Sequence, residues 1–223
     1  MGVVNRTPIV TNGLALYLDA GNYKSYPKSG TAWNDISLNN NNGTLINSPV
    51  YSVLDGGNFV INQGANNYVT IPHNALFNFT TGLTISAWIK NANSVDQYIS
   101  TKVEDSFFLA IGPSGQTAGK ASLFLNGTSG GWAQSATTVS TGNWVNITAT
   151  WNGTNTIFYI NGVVDSTNTR TGTILTGTSS VYFGWRNVPT FTGNMANHMF
   201  YNRALSASEI SQNYMALKSR FGL

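Results

Sequence analysis

Hydrophobic and polar residues alternate along most of the chain in short runs closed by Asn, Gly or Pro. Residues 14–18 form an apolar run that ends at Asp19-Ala20-Gly21-Asn22, and residues 44–46, 59–61 and 68–71 repeat the pattern. Leu83 to Lys90 alternates strictly, so Leu83, Ile85, Ala87 and Ile89 share one face of a strand. Val145, Ile147, Ala149 and Trp151 do the same between Trp144 and Trp151. Residues 157–160 meet Val163-Val164 across Asn161-Gly162, a pair suited to a two-residue type I′ turn. Strands are also expected over 181–184 and 195–201. The period changes only near the end of the chain. Ser206 and Glu209 stand three apart as a capping box, Ile210, Tyr214, Leu217 and Phe221 follow at helical spacing, and Gly222 closes the run. The pattern predicts an all-β chain with one short C-terminal helix.

Composition narrows this picture. Of 223 residues only 9% are charged, against 41% hydrophobic and 12% aromatic, with 23 glycines. Such a chain has too many aromatics for disorder, and no apolar run is long enough to span a bilayer as a helix. A continuous succession of strands without linker or repeat predicts one domain over residues 1–223, large enough to bury a core without cross-links. The formal charge of +3 comes from 11 basic residues scattered along the chain, which argues against nucleic acid as a partner. Cysteine is absent and the N-terminus lacks a secretory pattern, so assembly inside a cell is expected.

Several blocks resemble a known family. They are Gly13 to Asn22, then Ser25-Tyr26-Pro27, Trp33, Asp35 and Asn41 to Leu45; Gly82 to Ile89; Gly142 to Trp151; and Tyr201 to Ser206 with Glu209-Ile210. Together they are similar to the laminin-G-like, concanavalin A-like lectin/glucanase domains. The resemblance implies a jelly-roll sandwich of two antiparallel sheets. The two ends of the chain resemble versions found in structural proteins of tailed bacteriophages, notably cyanophages. That implies a virion protein on a capsid or tail, assembled in the host cytoplasm and exposed on the particle. Attachment at symmetric positions would make it a homo-oligomer. Two departures stand out: Ser37 to Asn40 lacks the family's glycines, and Ala196-Asn197 replace a frequent acidic pair.

The resemblance raises glycoside hydrolysis, which needs two carboxyl groups flanking the scissile bond. The chain has two glutamates, Glu104 and Glu209. Glu209 fits the capping box, and Glu104-Asp105 are adjacent, so a strand would point them to opposite faces. No catalytic residues and no cofactor are expected. Calcium is the one metal such folds suggest, with Asp19 and Asp35 as weak candidates that double as turn formers. His73 and His198 read as structural. A binding surface is the better expectation. Trp33, Trp88, Trp144 and Trp151 read as packing residues, whereas Trp132 follows Gly130-Gly131 and Trp185-Arg186 follows Gly184. Trp132, Trp185, Arg186 and Tyr98 are therefore the candidate ligand contacts, with cell-surface glycans or neighbouring virion proteins as partners.

Overall fold

The computed structural model describes residues 8–103 and 106–223, so Glu104-Asp105 and the first seven residues lie outside the described part. In chain order the strands are β1 (Leu14–Asp19), β2 (Ala32–Trp33), β3 (Gly43–Ile46), β4 (Val50–Ser52), β5 (Asn58–Ile61), β6 (Tyr68–Ile71), β7 (Leu83–Asn91), β8 (Gln97–Lys102) and β9 (Phe107–Ile111). They continue with β10 (Lys120–Leu125), β11 (Trp132–Thr138), β12 (Val145–Trp151), β13 (Asn155–Ile160), β14 (Val163–Thr169), β15 (Val181–Phe183), β16 (Trp185–Arg186), β17 (Val188–Pro189) and β18 (Gly193–Tyr201). Helix α1 (Ala207–Leu217) closes the chain, followed by one 3-10 turn.

The long strands form two antiparallel sheets packed as a sandwich. The first runs β14-β13-β12-β7-β18-β5-β4, with β1 also paired to β18. The second runs β11-β10-β9-β8-β15-β6-β3-β2, and β16-β17 form a separate hairpin. The alternation read from the sequence sets which side faces in. Leu83, Ile85, Ala87 and Ile89 of β7 and Val145, Ile147, Ala149 and Trp151 of β12 all enter one core, where they meet Ile99, Leu109, Leu123, Val181 and Phe183 of the other sheet. Asn161 and Gly162 take positive φ of 51° and 75°, as the predicted turn between β13 and β14 requires.

His198 projects into this interior from β18. Its ring stacks on Phe183 at 3.8 Å, Nδ1 lies 3.3 Å from the Ser100 hydroxyl, and Nε2 has no partner. Burial pushes its pKa down to about 3, so the imidazole is neutral at ordinary pH. The sequence expectation of a structural histidine holds for its place, although only one of its two nitrogens is hydrogen-bonded.

Helix α1 seals the outer face of the first sheet. The Ser206 hydroxyl accepts from the Glu209 amide, and the Glu209 carboxylate accepts from the Ser206 amide and from Arg203 at 2.6 Å, so the predicted capping box forms. Tyr214 and Phe221 stack on Trp88 with centroids at 5.5 and 4.1 Å, and Trp144 adds a contact to Phe221 at 4.8 Å. Ile210 and Leu205 pack on Met199, Tyr201 and Tyr17. A Cβ at Gly162 would sit 2.7 Å from the Tyr214 Cβ, so this turn must be glycine for the helix to lie down.

Candidate functional site

Among the described residues no helix lies on the outer face of the second sheet. Register brings Trp132 of β11 opposite Phe124 of β10, and Phe124 opposite Phe108 of β9. Phe108 faces Thr101 of β8, which faces Tyr182 of β15. One transverse row therefore carries four aromatics, because the same face of each strand recurs every second residue. Tyr98 of β8 joins it, 6.4 Å from Trp132 and 6.3 Å from Phe108. Phe108, Phe124 and Trp132 lie 5.5 to 6.2 Å apart, and all three remain partly open to solvent.

Trp132 is held from behind by the first sheet. Arg170, just past β14, donates to the Gly131 and Trp132 carbonyls. Ser166 and Asn168 of β14 donate to the Gln134 carbonyl, and Asp165 accepts from the Thr137 amide at 3.0 Å. These bonds join β11 to the edge of the other sheet and cover part of an otherwise open strand edge.

The β16-β17 hairpin lies across the same face. Thr101 donates to the Trp185 carbonyl at 2.7 Å, Trp185 packs on Tyr182 and Tyr68 at 4.3 and 5.8 Å, and Asn187 turns the chain at φ 62°. Gly184 starts the hairpin at φ 79°, close against Ile61. The next side chain, Arg186, reaches the other way: its guanidinium carbon lies 5.0 Å from the Tyr98 ring and 5.1 Å from the Phe108 ring. Burial raises the Tyr98 hydroxyl above its ordinary pKa, and the Arg186 charge works against that rise.

The structure thus gathers Tyr98, Trp132 and Arg186 into one surface. Trp185 sits in an adjoining cluster and anchors the hairpin. Phe108 and Phe124 were missed in the sequence. Their signal was present as consecutive aromatic and apolar positions, Phe107-Phe108 and Leu123-Phe124, where one residue of each pair must face outward.

The two aspartates suggested for calcium do not fit a hard cation. Asp35 accepts from the amides of Tyr17, Ser37 and Asn41 and from the Ser37 hydroxyl. Asp19 accepts from the Gly21 amide and the Tyr17 hydroxyl, and pairs with Arg220 at 2.6 Å. Calcium wants six to eight open oxygens, whereas these carboxylates are saturated by donors. Among the described residues no group of three or more Asp, Glu or His converges. The Asp19–Arg220 pair lies in a cleft of about 610 Å³ beside Tyr23 and Ser219; its carboxylate is already neutralised. Glu209 is likewise consumed, by the cap and by Arg203. Glu104 and Asp105 lie outside the described residues.

The profile of the concanavalin A-like lectin/glucanases superfamily matches residues 63–211. The chain belongs to that superfamily. No curated protein matches it. Among solved structures, the concanavalin A-like fold seen here is similar to the binding domain of Paraclostridial Mosquitocidal Protein 1, with TM-score 0.73 and 17% identity over 92% of this chain and 52% of that one. It is similar to domain 4 of AbnA, an extracellular arabinanase from Geobacillus stearothermophilus solved with arabinotriose, with TM-score 0.70 and 19% identity over 90% and 98%. The binding domain of botulinum neurotoxin DC in complex with SialylT gives TM-score 0.71 and 13% identity over 93% and 52%. The chain spans about half the length of the toxin domains it matches.

Proposed function

We propose that this chain is a non-catalytic saccharide-binding domain whose contact surface is the aromatic row of Phe108, Phe124 and Trp132 with Tyr98 beneath Arg186. The observation that carries the reading is the row itself: three partly open rings, on three adjacent strands, on a broad sheet face that no helix of the described residues covers. Flat rings offer apolar area to the C–H face of a pyranose or furanose, and polar groups at the margin fix its hydroxyls. A contiguous uncovered apolar patch is the mark of an interaction surface or a ligand-binding groove. The folds solved with arabinotriose and SialylT support the same reading, and the use of Glu209 in a cap weighs against hydrolysis. A glycan array followed by calorimetry tests it. The intact chain should bind at least one oligosaccharide, and Trp132→Ala should bind it roughly 10- to 100-fold more weakly. No binding to any glycan, or equal binding by a folded Trp132→Ala, would sink it.

The finer reading is that the domain is displayed on a virion capsid or tail, where it meets host-surface polysaccharide. Its support is the resemblance of the two chain ends to tailed-phage structural proteins and the absence of cysteine. Cryo-EM of purified particles tests this separately, since a chain found on no particle is not a virion protein whatever it binds.

A further inference from the structure

Arg186 differs from Arg203 and Arg220 in having no carboxylate partner among the described residues, its oxygen neighbour being the Tyr98 hydroxyl. Arg203 pairs with Glu209, Arg220 pairs with Asp19, and Arg170 is taken up by backbone carbonyls. Among the described residues no carboxylate pairs with Arg186. Its side chain is exposed yet held in place, with the guanidinium over two rings and the hairpin behind it pinned by Thr101 and Trp185. A guanidinium lying on ring faces keeps its in-plane N–H groups directed outward, as a fork suited to a carboxylate or another oxyanion. Asp96 is the acid whose field reaches Tyr98, and no ion pair ties it to Arg186. A cation whose neighbours are all uncharged, at the margin of an aromatic row, favours a ligand that brings its own negative charge.

We infer that the saccharide bound on the aromatic row is anionic, and that Arg186 is the residue that selects for its charge. This rests on the reading of the row as a glycan site and names the class of glycan. The rings supply contact area that neutral and acidic sugars share, whereas the Arg186 fork supplies the difference between them. The shared chemistry is an oxyanion on the sugar, and a uronate or sialate carboxylate and a sulfate ester are its two sources.

The test uses matched pairs on one array: uronate and sialate oligosaccharides beside their carboxyl-reduced counterparts, and sulfated oligosaccharides beside desulfated ones. The intact chain should bind one acidic member on the order of 10- to 100-fold more tightly than its neutral counterpart, the size of one charge-assisted contact. Added salt should shrink that preference, because the contact is solvent-exposed. Arg186→Gln should abolish the difference between the two members of each pair, whatever it does to the affinity they share. Arg186→Lys, which keeps the charge but not the fork, should retain part of the preference for a carboxylate. Equal binding of both members of every pair by the intact chain would overturn the inference while leaving the aromatic row as a neutral-sugar site. An acidic preference that survives Arg186→Gln would overturn it as well. Loss of all binding, acidic and neutral, on the intact chain is a failure of the row itself.

Discussion

The two outer faces of the sandwich carry similar chemistry and meet opposite fates. On the first sheet Trp88 points outward and is fully buried, because Tyr214 and Phe221 of the C-terminal segment stack on it. On the second sheet Phe108, Phe124 and Trp132 also point outward, and among the described residues the short hairpin at Arg186 reaches over them where the first sheet has a helix. Each face breaks the expectation that an antiparallel sheet is apolar within and polar without. The difference is what the chain provides to cover it. An aromatic covered by its own helix contributes to stability; an aromatic left open is available to a partner. Residue type alone does not separate the two cases.

The largest expected effect is on the covered face. Trp88→Ala removes the ring on which both Tyr214 and Phe221 stack, and should cost about 3–5 kcal/mol of stability. Urea denaturation measures it, and a loss under about 1 kcal/mol would mean that the helix is not a structural cover. Next in size is an effect common to both faces, since His198 sits in the core between the sheets. Its folded pKa of about 3 lies far below the ordinary 6.5. In the window between these values the unfolded chain takes up a proton that the folded chain refuses, so stability falls as the pH drops through it. Thermal melting from pH 7 to pH 4 should show this decline, with both sheets lost in one transition, and His198→Gln should flatten it. An unchanged slope in the variant would place the acid sensitivity elsewhere. On the open face the expectation reverses. Trp132→Ala should leave stability within about 1 kcal/mol, because the ring is only partly buried, and should weaken glycan binding by roughly 10- to 100-fold. A large stability loss with binding intact would erase the distinction between the faces.

How far the sequence revealed these faces follows from the same contrast. The strands of the first sheet other than β4, and the helix, were legible, since β7 and β12 alternate between core residues and Ser86, Asn146 and Thr148, and α1 opens with its capping box. The strands β8 to β11 gave no such signal. Phe107 and Phe108, or Leu123 and Phe124, are apolar on both sides of the pleat, and a period of two cannot be read where both faces are hydrophobic. Those strands are the ones that build the candidate site. Trp132, Arg186 and Tyr98 could be proposed one by one from glycine neighbours and residue type. Their convergence depends on register across β8 to β11 and on the hairpin that turns Arg186 back over β8 and β9, which are non-local. The surroundings of the aspartates were hidden for a related reason: that Asp19 meets Arg220, two hundred residues away, is fixed by folding and not by local spacing.

The smallest effect sharpens the comparison most, because it loosens one face alone. The Glu209 carboxyl is held down at about 2, against an ordinary 4.5, first by the Arg203 guanidinium and then by the Ser206 amide. A carboxyl with a depressed folded pKa stabilises fully above 4.5 and loses that contribution as pH falls toward 2. Both partners are part-exposed, with side chains 29% and 28% accessible, so solvent screening limits the contribution to about 1 kcal/mol, the size of one helix cap. That is too little to unfold the sandwich and enough to fray residues 207–217. Hydrogen exchange at pH 7 should therefore be faster in this helix for Glu209→Gln than for the intact chain, while exchange in β8 to β11 and glycan affinity stay the same. If the aromatic row on the opposite sheet responds as strongly as the helix, the two faces are coupled through the core and the division between a sealed face and an open one does not hold.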